Sequence, residues 1–100
     1  MINKSEFNKI REEMHKFDLK REQVIQLSRE IITISKQIIY AAQRNDLKEA
    51  EAAIKNIKDK VKKLKKVNII TDTNIHSVAF QEYVEAVAFY DYVKNKNDER

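Results

Sequence analysis

One hundred residues pass without a single glycine or proline. Average usage would supply roughly seven of the first and five of the second. Glycine is the residue that reaches positive φ without strain, and proline ends helices and presets turns. A chain without either has few ways to reverse direction tightly. Two-residue hairpins and glycine-rich phosphate loops fall away, and with them Rossmann and P-loop architectures. Cysteine is absent too, which removes disulfides and thiolate-ligated zinc. What remains is a set of long helices joined by short polar connections.

Hydrophobic spacing agrees. Phe7, Ile10, Met14, Phe17, Val24, Leu27, Ile31, Ile34, Ile38 and Ala41 recur at alternating steps of three and four, with one polar step at Arg21. That is the stripe of an amphipathic or coiled-coil helix. It predicts a first helix over 4–44, with a bend near Asp18, about 60 Å long at 1.5 Å per residue. So long a helix exceeds a compact domain of this size and needs partners along its length. Asn45 and Asp46 interrupt the stripe, and Asp46 followed by Glu49 fits a capping-box start. Leu47, Ala50, Ile54, Ile57, Val61 and Leu64 then predict a second helix over 46–67, antiparallel to the first. The β-branched, polar segment 68–74 reads as a loop in which Thr73 or Asn74 could cap a third helix over 74–94, followed by a frayed polar tail over 95–100. The expected fold is an all-α antiparallel bundle of three long helices, forming one domain over 1–100.

The third helix differs from the others. Residues 78–93, VAFQEYVEAVAFYDYV, are apolar on nearly every side. Such a helix belongs at the centre of a bundle. Two amphipathic helices hardly surround it, so oligomerisation or further helices are expected. Within that stretch lie Glu82 and Glu85, three residues apart and so on one helical face. Carboxylates in apolar surroundings are costly unless a metal, a basic partner or water compensates. Paired carboxylates suit hard cations such as Mg or Mn, and such sites hydrolyse phosphodiesters. The plainer alternative is two acids at a bundle edge, solvated or paired with lysines of the other helices.

The charge balance is mildly basic, +4 with pI about 9.3, which permits a nucleic-acid partner without requiring one. The run Lys58–Lys66, KDKVKKLKK, turns Val61 and Leu64 to the core and fans its lysines over the remaining surface. Lys62, Lys63 and Lys66 are phosphate-binding candidates there, as are Arg29, Lys36 and Arg44 on the first helix. A solvated charged face is the alternative for both groups. Tyr83, Tyr90 and Tyr92 are read as packing residues before base-stacking ones, and His15 and His76 are isolated from any second histidine at ligand spacing. No Ser-His-Asp or Cys-His arrangement is present. The opening MINKSEFNKIREE carries no leader-like apolar segment, and no apolar run approaches the ~20 residues of a membrane span. A cytoplasmic setting without membrane contact is expected.

Two stretches taken together resemble the translin superfamily, its Trax (translin-associated factor X) branch more than translin. They are KREQVIQLSREIITISKQIIYAAQR (20–44), carrying Leu27-Ser28-Arg29-Glu30-Ile31, Ser35-Lys36 and Arg44, and FQEYVEAVAFYDYV (80–93), carrying Gln81-Glu82-Tyr83-Val84-Glu85-Ala86-Val87. The resemblance implies an all-α bundle that assembles into closed oligomers, from copies of itself or with a second translin-family chain. It further implies binding of single-stranded RNA or DNA and, for the Trax branch, metal-dependent endoribonuclease activity in which Glu82 and Glu85 are metal-binding catalytic acids. Proteins of that family are about twice as long, so the likeness spans their N-terminal half. The later helix that brings a further catalytic carboxylate lies outside it, and Gln43 stands where a histidine often precedes the arginine. A truncated chain, a naturally short relative and a half completed by a second polypeptide are all open. The expected function is thus single-stranded nucleic-acid binding, with an RNase activity only if other carboxylates complete the site; a non-catalytic binding module or a structural oligomerisation protein is the alternative.

Overall fold

In the computed structural model, which describes residues 3–67 and 75–98, three α-helices account for nearly all of the described residues: α1 (Lys4–Gln43), α2 (Leu47–Lys66) and α3 (Ile75–Asp98). The expected all-α class and the three-helix division hold. The loop 68–74 and its Thr73 or Asn74 cap lie outside the described residues.

α1 is a single uninterrupted helix through Asp18. Asn3 caps its start, the side-chain oxygen accepting from the Glu6 amide at 2.8 Å, which satisfies one of the free first-turn donors. Its end solves the problem of reversing without glycine. Asn45 takes the left-handed conformation, φ 62°, which asparagine tolerates better than most residues. The Asn45 amide then donates to the Ala42 carbonyl at 3.0 Å and the Asp46 amide to the Ala41 carbonyl at 2.8 Å. This is a Schellman closure with asparagine in the glycine position. Asp46 next caps α2, accepting from the Glu49 amide at 3.2 Å. Two residues therefore terminate one helix and start the next.

α2 buries a clean stripe, Ala50, Ile54, Ile57, Val61 and Leu64. It returns along α1, and the Lys60 ammonium meets Glu30 at 2.9 Å. That pair marks the flank of α1 turned to α2, which Leu27, Ile34 and Ala41 share by helical spacing. Ser28, Ser35 and Ala42, each seven residues from the next, lie about 100° further round and are fully buried or nearly so. α3 supplies small buried residues at the same interval, Ala79 and Ala86, and α1 packs extensively against α3 as well as α2. Small side chains at seven-residue intervals are what let two helix backbones come together. The Ser35 hydroxyl is satisfied within its own helix by the Ile31 carbonyl at 2.7 Å, whereas Ser28 Oγ has no partner among the described residues.

α3 ends differently from the expectation. It continues past Lys94 to Asp98, and the Asn97 side-chain amide donates to Asn45 Oδ1. A tail expected to fray is instead helical to residue 98 because its last turn is tied to the α1–α2 corner. The same bond puts the C-terminal end of α3 beside that corner, so α3 runs parallel to α1 and antiparallel to α2.

Two further expectations are corrected. The most apolar helix is not central: α1 is, packing against both others, while α2 and α3 meet only sparsely. α3 buries only Ala79, Ala86 and Tyr90 and leaves Val78, Val84 and Tyr92 exposed. Second, α1 has partners along only part of its length. Every residue from Asn3 to Gln23 is exposed, and burial begins at Val24. The molecule measures 74 × 19 × 17 Å with a radius of gyration of 18.9 Å, against about 13 Å for a compact domain of this length. A bundle over residues 24–98 thus carries a projecting helical arm, and the arm exposes Phe7, Ile10, Met14 and Phe17.

Candidate functional site

α3 places Glu82 and Glu85 one turn apart, Glu82 half-buried and Glu85 exposed. The anticipated lysine partners do not reach them. Ion pairs form at Arg44–Glu49, Lys60–Glu30 and Lys63–Asp59, and neither Glu82 nor Glu85 makes a hydrogen bond or ion pair among the described residues. Asn97 lies beside Asn45, and Glu82 precedes Asn97 by fifteen residues, about 22 Å along the axis. The level of α1 facing it is therefore close to residue 30, between Arg29 and Lys36. Measured along the axis, Arg29 and Lys36 lie on either side of the level of the acid pair. No group of three or more His, Cys, Asp or Glu side chains able to hold a metal exists among the described residues.

The basic candidates separate into free and engaged groups. Arg29, Lys36, Lys62 and Lys66 are exposed and carry no ion pair among the described residues. Arg29 and Lys36, two turns apart, share a face of α1. Arg44 lies just past the end of α1 and bonds Glu49 at 2.6 Å, both side chains more than half exposed, so a phosphate would have to displace that carboxylate. Lys63 is an exposed i,i+4 partner of Asp59 at 3.4 Å, a pair worth only about 0.3–0.5 kcal/mol.

Lys60 is the residue the sequence did not single out. It enters a groove of ≈ 420 Å³ between α1 and α2, lined by Gln26, Arg29, Glu30, Thr33, Ile34 and Lys60 itself. Glu30 on its floor accepts from Lys60 at 2.9 Å and from Gln26 at 3.2 Å. The Lys60 bond, then the Gln26 bond, hold the Glu30 carboxyl below the usual carboxylate range. The signal for Lys60 was present in the lysine run, but only the antiparallel return of α2 tells which lysine reaches Glu30.

The tyrosines behave as packing groups. Tyr90 is 7 % exposed, and its hydroxyl donates to Glu51 of α2 at 2.5 Å. Burial, then the Glu51 bond, push its phenol up to about 12. Tyr83 packs against the core, and Tyr92 is exposed with the Lys96 ammonium 6.0 Å from its ring centre. His15 is exposed on the arm, and His76 is half-buried at the start of α3 with Nδ1 unpaired among the described residues. No helix among the described residues is long and apolar enough to cross a membrane.

Comparison with known proteins finds no family model, no curated protein and no solved structure that matches this chain.

Proposed function

We propose that this chain binds single-stranded RNA or DNA and contributes Glu82 and Glu85 to a divalent-metal site for phosphodiester hydrolysis, as the resemblance to the translin superfamily implies. The observation that carries this reading is the acid pair. Among the described residues two carboxylates are half-buried; Glu30 is neutralised by Lys60, whereas Glu82, with the exposed Glu85 one turn on, has no cation partner. Two carboxylate oxygen donors one turn apart fit Mg²⁺ or Mn²⁺, which is commonly held by one or two carboxylates together with water and substrate phosphate. A bound cation would supply Lewis-acid polarisation of water and of a phosphate oxygen. Glu82 and Glu85 hold the cation; Arg29 and Lys36, on either side of the pair's level along the axis, neutralise the phosphate backbone; Lys62 and Lys66 extend the basic surface along α2. Further carboxylates would come from a second chain, a second copy or a relative of the same family.

The test is cleavage of single-stranded RNA with Mn²⁺ and with EDTA, by the protein and by Glu82→Ala/Glu85→Ala. Metal-dependent cleavage lost in the double variant supports the reading. Cleavage that survives both EDTA and the double substitution, or none under any condition, overturns its enzymatic part.

A non-catalytic nucleic-acid-binding module is the second reading, favoured by the lack of a third metal-ligating side chain near the pair among the described residues. RNA affinity that falls steeply with salt, unaffected by Mn²⁺ and without cleavage, selects it.

A further inference from the structure

The exposed arm carries the same stripe as the core. Heptads counted from Phe7 put Phe7, Met14, Arg21, Ser28, Ser35 and Ala42 at position a and Ile10, Phe17, Val24, Ile31 and Ile38 at position d. From Val24 onward, these positions are buried against α2 and α3. In the arm, the same face is bare: Phe7 is 56 % exposed, Ile10 46 %, Met14 63 % and Phe17 47 %. Ile10, Met14 and Phe17 with Glu13 and Asp18 line an open trough of ≈ 410 Å³ along it. Most helical stability in proteins comes from packing an amphipathic face, and four large apolar side chains in coiled-coil register call for a facing helix.

We infer that the occupant is the arm of a second copy, running antiparallel. Three features choose this arrangement. The first is core pairing. Centring the antiparallel pair on residue 12 stacks Phe7 on Phe17 of the second copy and Ile10 on its Met14, and then the same contacts in reverse. Arg21 falls opposite Asn3 of the second copy, at the helix start. A parallel pair would instead bury Arg21 against Arg21.

The second is charge. In this register, the flanking g positions pair Glu6 with Lys20 of the second copy, and the e positions pair Lys4 with its Asp18. Four opposite-charge contacts result from the dyad. Glu13 faces Glu13 and Arg11 faces Arg11 on opposite flanks, two like-charge contacts against the four attractive ones. Parallel arms would set two Glu6–Arg11 attractions against two Glu13–Asp18 repulsions.

The third is length. The face the arm exposes is the face that α2 and α3 occupy from Val24 onward. Parallel arms would bring the two bundles together on that face at the same end. Antiparallel arms place the described part of each bundle beyond the other's residue 3 and set all four apolar layers face to face. This surface is distinct from Glu82 and Glu85, and its test does not depend on the nucleic-acid reading.

Sedimentation equilibrium of the full chain across micromolar to millimolar concentration, at low salt, is the experiment. A monomer–dimer equilibrium is expected. Met14→Glu should weaken it at least tenfold while leaving the helical melt of the bundle in place, because Met14 is exposed on the arm, outside the bundle core. Glu6→Lys should weaken it about tenfold, from the loss and reversal of two flanking pairs, and Lys20→Glu added to it should restore the dimer. A monomer throughout, a dimer insensitive to Met14→Glu, or rescue of Glu6→Lys by Arg11→Glu instead of Lys20→Glu would overturn the antiparallel arm pair.

Discussion

Tyr90→Phe isolates a polar contact that ties α3 to α2. The ring stays buried in the variant, and only the hydroxyl and its 2.5 Å bond to Glu51 are lost. Hydrogen bonds to charged groups contribute about 1.5–3 kcal/mol. Glu51 is exposed, so its carboxylate is rehydrated when the phenol goes instead of being stranded. That moves the expected cost to the low end, about 1–1.5 kcal/mol, or roughly 5–10 °C in Tm for a domain of this size. Thermal unfolding by circular dichroism at neutral pH reads it directly. Glu51→Gln keeps an acceptor and should cost less, and the double-mutant cycle should return a coupling of about 1 kcal/mol. Alkaline titration supplies an independent check. The folded phenol at about 12 lies above its ordinary value of 10.0, so the fold favours the protonated form. Its stabilising contribution is complete below pH 10 and is lost as pH rises toward 12. A tyrosinate absorbance step near pH 12 should vanish in Tyr90→Phe. Because burial is the larger cause and Glu51 the smaller, Glu51→Ala should lower that step while leaving it above 10. A Tyr90→Phe melt within 0.3 kcal/mol of the parent on the ~1 kcal/mol scale expected here, or a titration without the late step, would refute both the contact and the burial argument.

Ile57 is fully buried beneath α1, so Ile57→Ala should cost about 2–5 kcal/mol in denaturant unfolding; the same change at Ile10 of the arm should cost the monomer almost nothing. Asn45→Val should destabilise by about 1–2 kcal/mol, because a β-branched residue is forced into the left-handed region and the bond from Asn97 is lost, while Asn45→Gly should sit between it and the parent. Ser28→Ala should be neutral or slightly stabilising in the same melt, since it removes a buried hydroxyl without a partner among the described residues. Glu30 has a folded pKa held below its unfolded value of 4.5. Its contribution is present above that value and lost as pH falls through the folded one. Lys60→Met should therefore flatten the acid limb of the stability profile by less than about 1 kcal/mol, as befits a pair 25 % and 35 % exposed.

The helices themselves were legible along the chain. The Val24–Ala41 and Leu47–Leu64 stripes, the Asp46 cap and the missing glycine and proline set element type and number, because local periodicity and capping depend on neighbours within a few residues. The acid pair was legible as well, since three-residue spacing on a helix fixes a shared face whatever the packing. Tertiary structure decided the rest. The same heptad face is core at Ile31 and bare at Phe17; within it the two stretches differ at the polar step of Arg21 and at position a, large at Phe7 and Met14 but small at Ser28 and Ser35. The difference arises because α2 and α3 are too short to cover forty residues of α1. The apolar helix expected at the centre lies at the side, since hydrophobicity reports how much surface a helix would bury and not which neighbours the connections allow. Which lysine meets Glu30, which tyrosine meets Glu51, and that no cation among the described residues meets Glu82 are matters of register between helices. Register is a property of the assembled bundle, set by contacts between residues thirty or more positions apart.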